Sequence, residues 1–236
     1  SVNLSDALAR LDKRVLLIDL DPQASASLSL GLDRYENKTI NDVLMGECEI
    51  KDAICHPKHS KCDVVVSNIN LSKLEIKTID NPDREMLLSN AISLYRKKYD
   101  YIIMDCPPSL GLITTNALTA SNSVIIPVQC EFFALEGIMQ LLNTIMMAQK
   151  TLNPNLDIEG VLLTMLDSRT NLGFEVVDDI RKYFKERVYN TIIPRLIRLT
   201  EAPSHGKPIV AYDPKSKGTE AYLNLAKEVI ERNGTN

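Results

Sequence analysis

Three aspartates carry the chemistry that can be read in this sequence. Asp19 and Asp21 close the run Arg14-Val-Leu-Leu-Ile-Asp-Leu-Asp-Pro-Gln23; Asp105 closes a second run, Tyr99-Asp-Tyr-Ile-Ile-Met-Asp105, which passes into Cys106-Pro-Pro-Ser-Leu-Gly111. Each run is short, apolar and almost without alternation, as in a parallel strand covered on both faces. Two buried strands that deliver carboxylates to one sheet edge suit a divalent cation and a phosphate, and that edge is where open α/β sheets bind ligands. A single aspartate at a strand end is ordinarily a turn former or helix cap. The repetition, with a proline after each, is what points to a site.

The surrounding sequence supplies elements to hold these acids. Apolar residues at Val2, Leu4, Ala7, Leu8 and Leu11 form a helical stripe before the first strand, and Ala24 to Gly31 is small and polar, as in a loop entering a short helix. Thr39 to Met45 reads as a short helix, Asp63 to Val66 as a strand, Leu71 to Ile79 as a helix and Arg84 to Lys98 as an amphipathic helix. Further on come a strand at Val124 to Val128, a helix at Ala134 to Leu152 and a strand at Gly160 to Leu166. The methionines at 139, 146 and 147 in that helix are expected to fill the core. A helix at Phe174 to Tyr189, a short strand at Thr191 to Pro194 and a helix at Ser216 to Arg232 complete the chain. Strands alternating with helices predict a doubly wound, mainly parallel α/β sheet, with residues 1-236 as one domain.

Composition narrows the functional classes. A chain of 236 residues with 44% hydrophobic content can bury a full core, and it has no apolar run of membrane-spanning length. The net charge of -4 is unevenly spread: residues 181 to 236 hold 11 Lys and Arg against 6 Asp and Glu, and the remainder holds 16 against 25. Such a basic section is either a solvated helix face or an anion-binding surface. Five cysteines without framework spacing suit a reducing cytoplasm. Cys55, His56, His59 and Cys62 cluster, but their spacing matches no common structural-zinc pattern, and a surface loop is the plainer reading.

The two acidic motifs occur with Pro127-Val-Gln-Cys-Glu-Phe-Phe-Ala-Leu-Glu-Gly137 and with Ile193-Pro-Arg-Leu-Ile-Arg-Leu-Thr-Glu-Ala-Pro-Ser-His-Gly206. In this order the four resemble the ParA/Soj family of partition ATPases, relatives of MinD, from Ser1 almost to the last helix. The resemblance implies ATP and magnesium as cofactors, a homodimer closed by ATP, non-specific DNA binding, stimulation by a ParB-like partner and a cytoplasmic, nucleoid-associated location. It implies that Asp21 orients the attacking water, that Asp105 holds magnesium through water and that Asp19 supports the metal indirectly. It places the adenine pocket where Thr164 and Met165 approach Pro194 and Arg195. The family's DNA-contacting arginines match Arg169 and Arg198 most closely, with Arg195, Lys215 and Lys217 extending the basic patch. Where the family has Gly and Asn after Pro-Gln, this chain has Ala24 and Ser25.

The family's glycine-rich phosphate loop, G-x-x-x-x-G-K-S/T, is not found in these 236 residues. Ser1-Val-Asn-Leu resembles the helix that follows that loop, so about twenty residues of the family pattern are expected to precede it. The strand before the loop is central in the family's sheet and lies next to the Asp105 strand. Its absence is expected to leave backbone unpaired and to make ATP binding by these residues alone weak. Three rival readings remain. A MinD-like membrane ATPase would end in a basic amphipathic helix, whereas Glu231-Arg-Asn-Gly-Thr-Asn offers lipid no apolar face. An iron-sulfur reductase would need cysteines in a glycine-rich context, and Cys106 stands before two prolines. A nucleotide-independent DNA-binding homologue is the third.

Overall fold

Val15–Asp19 (β1) is buried at all five positions, as expected of an apolar run without alternation. The structure, a computed structural model, describes residues 1–35, 37–131 and 134–234. Four further strands are Ile54–Cys55 (β2), Asp63–Val65 (β3), Tyr101–Asp105 (β4) and Ser123–Gln129 (β5), and Asp157–Thr164 (β6) follows. Among the described residues, one sheet has the order β2-β3-β1-β4 and a second consists of β5 and β6. β1 runs parallel to β3 and β4, β5 runs parallel to β6, and only β2 is antiparallel, to β3. The doubly wound, mainly parallel α/β architecture is therefore present.

The two sheets share a core. Val15, Leu17 and Val64 cluster with Leu162 of β6, and Tyr101, Ile103 and Ile125 pack against the same cluster. Yet no strand pairs with the outer edge of β4 or with the free edge of β5 among the described residues. Every residue of β4 is only half-buried although four of the five are apolar or aromatic. A cavity of about 450 Å³ is lined by Ile126, Pro127, Val128 and Gln129 in succession, together with Ile138 and Leu141. Because β6 occupies the other edge of β5 along this stretch, four consecutive lining residues mean that the cavity follows the free edge.

Several elements differ from the sequence-based expectation. The helix expected over Arg84 to Lys98 is confined to Leu87–Ile92, because Asn116 accepts the Leu88 amide and donates to the Arg84 carbonyl, so the chain turns at the helix entrance. Leu71 to Ile79 is divided into a 3₁₀ turn, Ile69–Lys73, and a short helix, Leu74–Lys77. Phe174 to Tyr189 becomes a helix at Asn171–Phe184 and a 3₁₀ turn at Lys185–Arg187. Thr191 to Pro194 is not a strand. Its segment follows β6 through isolated parallel bridges, Val161 to Val188 and Leu166 to Pro194, while the Glu228 carboxylate takes the Asn190 and Thr191 amides. The methionines at 139, 146 and 147 lie on the exposed side of the Ala134–Thr151 helix and do not fill the core. Phe132 and Phe133 of the Pro127 to Gly137 motif lie outside the described residues.

One close approach ties two functional stretches together. Gly206 and Gly31 both have positive φ, and a Cβ added at Gly206 would lie 3.0 Å from the Gly31 Cα. Gly206→Ala therefore meets both a left-handed backbone and another backbone, and should lose about 2 kcal/mol of stability. The check is a urea titration: the midpoint falls at unchanged slope, and an unaltered midpoint would show that the contact is loose.

Candidate active site

The β1–β4 register pairs Asp19 with Asp105, so parallel pairing alone sets two carboxylates side by side at the carboxyl edge of the sheet. The Leu20 amide donates to the Asp105 carbonyl at 2.8 Å and continues this pairing past the strand end. The two acids then differ sharply in environment. Asp19 is wholly buried, and its carboxylate accepts the Asp21 amide at 3.1 Å, the Ser27 amide at 2.8 Å and the Ser27 hydroxyl at 2.7 Å. Burial pushes its carboxyl above the ordinary range, the Ser27 hydroxyl and amide pull it back, and Asp105 adds a smaller upward push. The Asp105 carboxylate is half-buried and accepts no hydrogen bond among the described residues.

With three donors already on its two oxygens, Asp19 faces inward and braces the loop. The half-buried, unsatisfied Asp105 carboxylate fits a hydrated magnesium ion, which would supply positive charge to a polyphosphate there. Among the described residues no three His, Cys, Asp or Glu side chains converge to hold a metal by themselves. The same holds of Cys55, His56, His59 and Cys62. His56 pairs with Asp63 at 2.7 Å, Cys62 is buried beside Ser60, and the four side chains do not converge.

Asp21 sits on a tight turn. Its carboxylate accepts the Gln23 amide at 2.9 Å, and its carbonyl accepts the Ala24 amide at 2.8 Å. Ala24 is in the left-handed region, with φ 59°, as is Met165 at φ 56°. Non-glycine residues there store strain, and such positions gather at functional sites. Met165 lies where β6 ends. The Leu166 amide donates to the Ile193 carbonyl at 3.2 Å and the Arg195 amide to the Leu166 carbonyl at 2.9 Å, so the residue that follows Thr164-Met165 is joined to the Ile193 to Arg195 segment. Thr164 is fixed to β5 through its hydroxyl, which donates to the Val128 carbonyl.

Two of the arginines expected to meet DNA, Arg169 and Arg198, have acidic partners in contact. Arg169 makes a two-pronged contact with Asp167, at 2.8 and 2.6 Å, and this guanidinium holds the Asp167 carboxyl well below the usual carboxylate range. Arg195 also acts on Asp167. Arg198 contacts Glu201 at 3.1 Å and Asp213 at 3.5 Å and lies over the Tyr212 ring. Lys215 and Lys217 follow Asp213 and are exposed. Exposed pairs of this kind are worth about 0–1 kcal/mol, so a phosphate can compete for the arginines at small cost. The acidic partners, and Ser27, were not legible as site residues. Asp167, two residues before Arg169, had a local signal; Ser27 and Asp213 had none.

Comparisons with known proteins agree with this geometry. A family model described as an AAA domain matches residues 1–158. The sporulation initiation inhibitor protein Soj of Bacillus subtilis is 54% identical over 230 residues, covering 97% of this chain and 91% of that protein. The chromosome partitioning protein ParA of Caulobacter vibrioides is 46% identical over 235 residues, covering 98% and 88%. Among solved structures, the cell division ATPase MinD of Pyrococcus furiosus superposes with a TM-score of 0.78 at 27% identity, covering 98% of this chain and 91% of that one. A cobyrinic acid a,c-diamide synthase of Mycobacterium smegmatis, solved with ADP and magnesium, does so with a TM-score of 0.87 at 33% identity, covering 99% and 88%. Near-complete coverage by partition proteins, together with paired acids at the sheet edge, leads to one conclusion: the chain belongs to the ParA/Soj family of chromosome-partitioning ATPases.

Proposed function

We propose that the protein is a nucleotide-switched DNA-segregation ATPase whose ATP-bound dimer holds DNA without regard to sequence, and which a ParB-like partner triggers to hydrolyse and release. The observation that carries this reading is the β1–β4 register, which places Asp105 at the sheet edge beside the turn bearing Asp21. In this reading Asp21 orients the attacking water, Asp105 holds hydrated magnesium, and the crossing of Thr164-Met165 with Pro194-Arg195 receives the adenine. Arg169, Arg195, Arg198, Lys215 and Lys217 hold phosphates of DNA. Supporting the partition role over the other named relatives is the greater identity to Soj and ParA than to the cobyrinic acid synthase or MinD. No helix among the described residues is long and apolar enough to cross a membrane.

The phosphate cradle is assigned to the space between β4 and β5. The edges of β4 and β5 left unpaired among the described residues, their common core and the apolar cavity lined by β5 support room for one further strand, whose carboxyl end would lie near Asp105 and Gln129. A glycine-rich loop at that end would present backbone amides to a triphosphate. In the full-length protein, phosphate release should require magnesium and rise when DNA and the partner are added together. Release that is independent of magnesium, or of both additions, would reject the reading.

A further inference from the structure

Asp21 has no packing of its own to hold it, since it lies on a turn and is partly exposed. What fixes the turn is a polar relay running inward. The Asp21 amide is held by Asp19 Oδ1 at 3.1 Å, and Asp19 Oδ2 is held by both the amide and the hydroxyl of Ser27. The Ser27 oxygen in turn accepts the Ser67 amide at 3.2 Å, just beyond β3. Asp19, Ser27 and Ser67 are all fully buried. A hydroxyl that donates to a carboxylate and accepts an amide is used on both sides, so its hydrogen has a single direction and Asp19 a single orientation.

We infer that Ser27 is a positioning residue for Asp21, acting through Asp19 and anchored on the end of β3. The inference rests on the hydrolytic role proposed for Asp21. Ser27 is eight residues from Asp19 in sequence and makes no hydrogen bond to Asp21 or to the Asp105 carboxylate among the described residues, so the buried carboxylate is the hydrogen-bonded link from its side chain to the Asp21 turn. A turn held this way keeps the water-orienting group within the narrow tolerance that positioning demands, where a misplacement of about 1 Å costs on the order of 10²-fold in rate. The adjacent Ser67 hydroxyl has no hydrogen-bond partner among the described residues, which makes it a built-in control: it shares the burial but is not in the relay.

The test uses the full-length protein with Ser27→Ala, Ser27→Thr and Ser67→Ala. Amide hydrogen exchange over residues 20–28 without nucleotide, and kcat and KM for ATP, are measured in each. In Ser27→Ala, exchange at Asp21 and Ser27 should accelerate at least about tenfold, and kcat should fall by about 10²-fold at unchanged KM. Ser27→Thr, which keeps the hydroxyl, should restore both, and Ser67→Ala should leave both at wild-type values. Where Ser27→Ala lowers the folded population, Asp19→Asn, which keeps the side-chain size, is measured instead with the same expectations. Unchanged exchange in Ser27→Ala, a loss of kcat shared by Ser67→Ala, or a rise in KM that accounts for the whole loss would overturn the relay. A wild-type protein that does not hydrolyse ATP would reject the functional reading, while the exchange data would still decide whether the relay fixes the turn.

Discussion

Asp21→Ala should bind ATP as tightly as the wild type and dimerise, yet release phosphate at least about 100-fold more slowly. The turn survives the substitution because its other restraints come from the backbone: the Asp21 amide stays on Asp19, and the Asp21 carbonyl still accepts the Ala24 amide. Only the Gln23 amide loses its acceptor, and it lies where water can replace it. Stability should change by no more than about 0.5 kcal/mol, so a loss of turnover cannot be ascribed to unfolding. Single-turnover phosphate release and equilibrium nucleotide binding, measured on the same preparation, decide the matter. Wild-type release would remove Asp21 from the mechanism, and lost nucleotide binding would move it into the phosphate site.

Arg198→Glu should weaken binding to all DNA sequences about equally and flatten the salt dependence. Each lost phosphate contact lowers the slope of log affinity against log salt by about one. The reversal of charge does more than remove a contact, because it sets a third carboxylate beside Glu201 and Asp213, which now hold Arg198 at 3.1 and 3.5 Å. Affinity near physiological salt should consequently fall by more than about tenfold. Arg198 is exposed, and its ion pairs contribute little to folding. Salt titrations at saturating ATP, with dimerisation followed in parallel, provide the check. Equal slopes with an intact dimer would make the basic edge ordinary solvated surface; loss of the dimer would place Arg198 at the subunit contact.

How much of this was legible in the sequence varied with the range of the interaction involved. β1 and β4 could be read to within a residue or two because each is an unbroken apolar run that ends where its aspartate begins the turn. The resemblance set Thr164 and Met165 against Pro194 and Arg195, and in the structure it is the next residue, Leu166, that is joined to Ile193 and Arg195 by two backbone hydrogen bonds. The inward role of Asp19 was not legible. Nothing in Asp-Leu-Asp distinguishes a carboxylate that meets a metal from one that meets a serine hydroxyl eight residues later, and only the fold brings Ser27 and Ser67 to it. The expected Arg84 to Lys98 helix failed for a similar reason, since its entrance is set by Asn116 on the Leu112–Ala120 helix, which no local propensity encodes. The directions of the side chains in the cysteine and histidine cluster were not legible, because sequence proximity says nothing of them: His56 turns to Asp63 while Cys62 turns into the core.

If nucleotide chemistry at the acid edge governs DNA binding at the basic edge, the affinity of the full-length protein for two unrelated DNA duplexes should depend on the nucleotide present. Measured with ATP and magnesium, with ADP and magnesium, and without nucleotide, binding should be at least about tenfold tighter with ATP than in the other two states, equivalent to about 1.4 kcal/mol of coupling, and the same for both duplexes. Equal affinity in all three nucleotide states, or strong preference for one duplex, would contradict this expectation.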